Sequence, residues 1–299
     1  MIGELAALGA AVCWTISAIL YKEALFNTKP VPANVVRCTF ASVFLIVFLL
    51  VTGKIGVLAG LSVYTLVLAC VSGIVGFVLG DTLYMVSLKL IGVARAVPLT
   101  CTYPLFNILW AVFLKGERVT WQIVLGAVAI FVGIWLLSWR GGANTDENYR
   151  NGLVKGSVLA LTVAFVWSVS ITMVDLAIAS ESGGWDVAFG INALRVSVAA
   201  VFLLISVTVL DRGMDFLRMD KKATINIVSG GLVALALGWF FLTFSFSAGT
   251  PESRAVPISS TSPLFSAIAG MFLLHERVTV KIAAGSLVIV FGVFLIFMV

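Results

Sequence analysis

Arg95-Ala96-Val97-Pro98-Leu99-Thr100-Cys101-Thr102-Tyr103-Pro104-Leu105-Phe106 reappears in the second half of the chain as Arg254-Ala255-Val256-Pro257-Ile258-Ser259-Ser260-Thr261-Ser262-Pro263-Leu264-Phe265. Each copy is an apolar, helix-length segment that carries two prolines at the same spacing. A proline inside a helix removes a backbone donor and frees the carbonyl one turn earlier. Such a segment needs other partners for its carbonyls in an apolar medium, and Thr100, Thr102, Ser259, Ser260, Thr261 and Ser262 supply hydroxyls beside the breaks. Paired, interrupted apolar helices in corresponding halves point to an integral membrane protein with an internal repeat and a central site between the copies.

Composition agrees with that reading. Hydrophobic residues make up 61% of the 299 positions, charged residues 11%, and the mean hydropathy is +1.13. These values exclude a soluble globular domain. About twenty apolar residues cross a bilayer as a helix, and the chain supplies ten such stretches joined by short polar connectors. Runs such as Val43-Phe44-Leu45-Ile46-Val47-Phe48-Leu49-Leu50 are apolar on every face, which excludes the alternating pattern of an outer-membrane barrel. The first stretch starts after Glu4 without a basic leader and is expected to be a permanent helix rather than a cleaved signal.

The repeat reaches well beyond the prolines. Trp14-x-x-Ser17 returns as Trp167-x-x-Ser170, Arg37 as Arg195, and Gly80 with Ser87 as Gly238 with Ser245. Glu117-Arg118-Val119-Thr120 returns as Glu276-Arg277-Val278-Thr279, and Gly126 with Gly133 as Gly285 with Gly292. These matches divide the chain into a first five-helix unit at 1–140, a polar connector at 141–153 and a second five-helix unit at 154–299. Five is odd, so the second unit is expected to enter the membrane from the opposite side, giving inverted repeats. The expected fold is an all-α integral membrane protein of ten transmembrane helices.

The duplicated proline helices, with their Pro-Leu-Phe continuations, and the Gly-Glu-Arg-Val-Thr turn at 116–120 leading into a glycine-spaced helix resemble the drug/metabolite transporter superfamily, in its ten-helix branch with two EamA-type domains. The likeness covers the whole chain. It implies a secondary exporter or exchanger of small organic solutes that works by alternating access, with a cavity lined by the first, third and fourth helix of each half. It does not imply one substrate. Amino acids fit the residues described below; a lipid or lipid-carrier flippase and a nucleotide-sugar or phosphorylated-metabolite exchanger are the alternatives within carriers.

Polar residues inside apolar helices mark the candidate site, because a polar stripe at membrane depth must face the bundle interior or water. In the fourth stretch Thr100, Tyr103 and Asn107 share one helical face, and Ser259, Ser262 and Ser266 repeat that face in the ninth. Trp14 and Ser17, with Trp167 and Ser170, lie too deep for an interfacial aromatic belt and are expected as cavity walls. Asp81 is the carboxylate set well inside a helix, with Tyr84 one turn on; its counterpart is Trp239. It is expected either to serve substrate or proton, or to pair with Lys89 or a base on another helix. Arg37 is expected to snorkel to headgroups, whereas Arg195 lies deeper, as a carboxylate clamp or one half of a structural pair. Pro98, Pro104, Pro257 and Pro263 are candidate hinges.

Other residue classes carry structure rather than chemistry. Glu117 and Glu276 belong to loop turns ahead of Thr120 and Thr279. Gly126 with Gly133, and Gly285 with Gly292, are expected to allow close helix approach, to each other or to a second subunit as a homodimer. Cys13, Cys38, Cys70 and Cys101 show no metal spacing, His275 stands alone, and no phosphate-binding glycine loop is present, so no metal, cofactor or catalytic residue is expected. A membrane-embedded enzyme would require a catalytic pair that the sequence does not offer. Thirteen basic residues in the loops on one side against four on the other place the connector in the cytoplasm and both termini outside a plasma membrane. The formal charge of +5 then reflects anionic lipid partners, not nucleic acid.

Overall fold

The computed structural model describes residues 1–25, 28–91, 96, 99–116, 118–138, 147–210, 219–265 and 280–298. Its described elements are all helical, the longer ones being α1 Ile2–Leu25, α2 Pro30–Val51, α3 Val63–Ile91, α4 Tyr103–Lys115, α5 Trp121–Ser138, α6 Glu147–Ala179, α7 Trp185–Leu210, α8 Lys221–Ser247, α9 Glu252–Ser259 and α10 Val280–Phe297, with a short helix at Val57–Gly60 between α2 and α3. Six of them, α1, α2, α3, α6, α7 and α8, contain stretches long and apolar enough to cross a membrane, and α4, α5 and α10 hold shorter apolar stretches. Many large apolar side chains on these helices face outward, including Phe113, Val51 and Val63, as expected of surfaces bathed in lipid.

Polar contacts at the helix ends define the two faces of the bundle. On the first face Glu4 of α1 pairs with Arg254 of α9 at 2.9 Å, Lys115 at the end of α4 pairs with Asp175 of α6, and Lys54 beyond α2 meets Asp186 of α7 at 3.1 Å. The Thr65 hydroxyl and the Ser62 amide hold the Glu181 carboxyl below its ordinary range there. On the second face Ser87 of α3 donates to the Gly156 carbonyl of α6, and Asn226 of α8 donates to Glu23 of α1.

The halves interlock instead of standing side by side. Helix α1 packs on α8 and α9, α6 packs on α3 and α4, and α2 packs on both α7 and α8. Matching glycines make these approaches possible. A Cβ at Gly80 would meet Trp167 Nε1 at 2.8 Å, and one at Gly238 would meet Trp14 Nε1 at 2.8 Å. The indole of each half therefore seats on the bare backbone of the other. Helices α5 and α10 also meet backbone to backbone: a Cβ at Gly126 would meet the Gly292 carbonyl at 2.7 Å, and one at Gly133 the Gly285 carbonyl at 2.7 Å. Their glycines thus face each other within one chain.

Two local features shape the site. Helices α3 and α8 each widen into a π-turned segment, Ile74–Gly80 and Leu232–Gly238, at matching positions directly before Asp81 and Trp239. Such wide turns free carbonyls that an α-helix would occupy. The fourth and ninth segments break their helices at 101–102 and 260–261, ahead of Pro104 and Pro263. Pro104 thus sits in the first turn of α4, where its missing donor costs little, while Pro257 lies within α9. Pro98 and Ser266 lie outside the described residues, as do Glu117, Glu276 and His275.

Candidate functional site

The π-turn of α3 is where the site begins. Asn34 of α2 donates from Nδ2 to the Phe77 carbonyl at 2.8 Å and to Thr82 Oγ1 at 3.0 Å, so α2 caps the opened turn. Its Oδ1 accepts from Arg37 Nη2 at 2.8 Å, which aims the guanidinium across to Asp81. Arg37 and Asp81 form a buried ion pair, and Trp167 Nε1 of α6 donates to the other carboxylate oxygen at 2.9 Å. The Tyr21 ring covers the guanidinium, with Arg37 Cζ 5.3 Å from its centroid. Arg37 is 3% exposed, so it turns into the bundle where sequence reasoning had it reach toward headgroups. The cause is Asp81: a carboxylate inside the bundle offers the guanidinium a fixed partner that headgroups do not. Asp81 pairs with this base of another helix, and not with Lys89.

The second half repeats the frame and changes the chemistry. Asn192 of α7 donates to the Leu235 carbonyl in the π-turn of α8 at 2.8 Å, the counterpart of the Asn34 bond. Arg195, three residues on, finds Trp239 where Arg37 finds Asp81. Its Cζ lies 4.1 Å from the Trp239 ring centroid and 4.7 Å from that of Phe77, while Nε donates to Ser72 Oγ at 2.8 Å and Nη2 to Ser170 Oγ at 3.2 Å. Among the described residues Arg195 forms no ion pair, and its buried Nη1 has no hydrogen-bond partner.

A cavity of about 110 Å³ lies between these frames. Its walls include Trp14, Ser17, Asp81, Tyr84, Thr100, Tyr103, Trp167, Trp239 and Ser262, all singled out from the sequence, together with Tyr21 and Arg37. The aromatic rings brace one another: Tyr84 and Trp167 centroids are 5.0 Å apart, Tyr103 and Trp167 6.2 Å, Trp14 and Trp239 5.8 Å. Tyr21, Arg37 and Tyr84 lie toward the second-face ends of their helices, so the cavity is displaced toward that face.

Four candidate residues sit elsewhere. Ser170 serves Arg195 and the Ser72 carbonyl; Arg195 lies behind Trp239; and Ser259 donates to the Val256 carbonyl, close to the Tyr103 hydroxyl. Asn107 points toward the first face, donating to the Ser168 carbonyl, Thr172 and Glu252. Thr172 also donates to Glu252, and Lys115 pairs with Asp175 close by, so polar groups of α4, α6 and α9 join there. Sequence reasoning missed Asn34, Asn192 and Glu252. The first two were findable, since Asn34-x-x-Arg37 returns as Asn192-x-x-Arg195; Glu252 opens its helix in the first turn and carried no signal. Among the described residues no cluster has the side chains to hold a metal ion.

An apolar, all-helical bundle with two interlocked halves and a small polar-aromatic cavity between them defines a polytopic membrane transporter. The chain belongs to the EamA-like transporter family, which it matches over residues 1–139 and 154–298. It is similar to an uncharacterized transporter of Archaeoglobus fulgidus, 28% identical over 99% of this chain and 98% of that one. It is 26% identical, over 65% of each chain, to RbsU of Lactobacillus johnsonii, named as a candidate ribose uptake protein. A solved crystal structure superimposes with a TM-score of 0.74 over 99% of this chain and 98% of its own, at 19% identity, and bears on the fold alone.

Proposed function

We propose that the protein exports or exchanges small organic metabolites across the plasma membrane by alternating access, with amphiphilic amino acids as the substrate class. The observation that carries this reading is the Arg37 and Asp81 pair set in an aromatic-walled cavity. A zwitterion offers the complementary pair: its ammonium suits Asp81, its carboxylate suits Arg37, and its side chain suits the indole and phenol walls. Breaking one charge out of such a site is costly, so a neutral, doubly charged ligand that replaces both partners together is favoured over a simple cation or anion. Inverted five-helix halves, with the connector cytoplasmic and both termini outside, supply the alternating geometry. The cavity then faces the cytoplasm, and the contacts of Asn107, Thr172 and Glu252 close the outer side.

The resemblance to RbsU favours a second reading, uptake of a neutral sugar, for which the indole and phenol rings and the Ser17, Thr100 and Ser262 hydroxyls are suitable partners. Thermal-shift screening of the detergent-solubilised protein separates the two. Stabilisation by L-phenylalanine or L-leucine, lost in Asp81→Asn, supports amino acids. Stabilisation by ribose alone replaces that reading with the sugar.

A further inference from the structure

Arg195 is a fully buried guanidinium in the middle of a membrane bundle, and the structure gives it aromatic faces where its twin has a carboxylate. Asp81 makes no hydrogen bond or ion pair with it among the described residues; its two carboxylate oxygens receive Arg37 and Trp167. A cation at this depth normally binds an anion or marks the path of one. Ser72 and Ser170 fix Nε and Nη2, which holds the guanidinium plane in place and leaves Nη1 unsatisfied. The Trp239 ring centroid lies 4.1 Å from Arg195 Cζ and the ring itself lines the cavity, so one indole separates the guanidinium from the solute space.

The internal symmetry tells what this arrangement is for. Arg37 reaches the cavity in this conformation and Arg195 does not. In a carrier built from inverted repeats the oppositely facing conformation exchanges the environments of matching residues, so Arg195 gains the cavity as Arg37 leaves it. Arg37 brings its own carboxylate with it; Arg195 brings none.

We propose that Arg195 is a covered oxyanion site, capped by Trp239 here and uncovered in the oppositely facing conformation, where it receives the carboxylate or phosphate of the transported solute. The inference rests on the alternating-access reading above. It gives the two states different appetites for charge: a self-neutralised pair on one side of the cycle, and a bare guanidinium with two fixed serines on the other. Trp239 contributes by holding the site closed. Its cation–π contact stabilises the covered state and lowers apparent affinity by the fraction of molecules left uncovered.

Benzoate, phenyl phosphate and benzyl alcohol are the probes, titrated by thermal shift against the full chain in detergent. Either anion should stabilise the protein while benzyl alcohol does not, and the better of the two identifies carboxylate or phosphate cargo. Arg195→Met should weaken that anion about tenfold or more, as for loss of a charge-assisted contact, with Arg195→Lys in between. Trp239→Phe, which keeps a ring but covers less, should tighten it. Anion binding equal in wild type and Arg195→Met, or unchanged by Trp239→Phe if Arg195→Met does not fold, overturns the site. Counterflow of labelled L-phenylalanine in proteoliposomes keeps the two readings apart. Full counterflow by Arg195→Met retains the carrier and removes the anion site, whereas Arg195-dependent benzoate binding without counterflow of any screened solute does the reverse.

Discussion

The Trp167 indole donates to Asp81 Oδ1 at 2.9 Å, so a side chain of the second half completes the shell of a carboxylate in the first. Trp167→Phe keeps an aromatic ring against Tyr84 and deletes the donor. Leaving one buried carboxylate oxygen short of a bond is expected to cost about 1–3 kcal/mol. Thermal unfolding in detergent measures it, and an unchanged midpoint would show that the bond is incidental to packing.

Arg37 and Asp81 should behave as a unit. Arg37→Met or Asp81→Leu alone strands a buried charge and is expected to cost about 3–5 kcal/mol, whereas the double variant should recover much of that loss. Chemical denaturation of the four proteins gives the coupling. Simple additivity would mean that water or lipid already screens each group.

Helices α5 and α10 meet through backbone at Gly126, Gly133 and Gly292. Alanine at Gly126 or Gly133 places a methyl group 2.7 Å from a carbonyl oxygen, too near for either backbone to accept without moving. The expected result is a drop of about 1–3 kcal/mol, as for overpacking, with the cavity residues and ligand response intact. Equal stability of Gly133→Ala and wild type contradicts the close pairing.

Membrane orientation is open to direct measurement. With the native cysteines replaced, a cysteine at Asn144 should resist an impermeant thiol reagent in intact cells, and one added at the C-terminus should label. The reverse pattern would invert the assignment and place the cavity toward the outside.

What the sequence reveals here is local and periodic. The prolines, the deep tryptophans and the Thr100 and Tyr103 face are visible because each is a spacing within one helix, and the tryptophans and that face meet at one cavity. The pairing of Arg37 with Asp81 is not visible, since it joins separate helices and depends on a π-turn that no hydropathy pattern marks. Asn107 has the same helical face as Tyr103, but it lies one turn nearer the first face, where Glu252 and Thr172 claim it. Periodicity gives a residue's direction around a helix; it does not say which neighbour waits at that depth.

The first-face contacts among Asn107, Thr172, Glu252, Lys115 and Asp175 have a thermal consequence. The corresponding sequence positions of the other half are Ser266, Ile19, Val93, Leu274 and Lys22, a set with no acid. Of those five sequence positions only Ser266 and Lys22 are polar, so in the alternating cycle proposed above a closure drawn from them would have no carboxylate, while the one on the first face rests on charge and hydrogen bonds. Apolar association weakens on cooling, and polar association does not weaken in the same way. Cold should therefore favour the conformation with its first face shut, and the protein at low temperature would idle with its binding site turned to the second compartment.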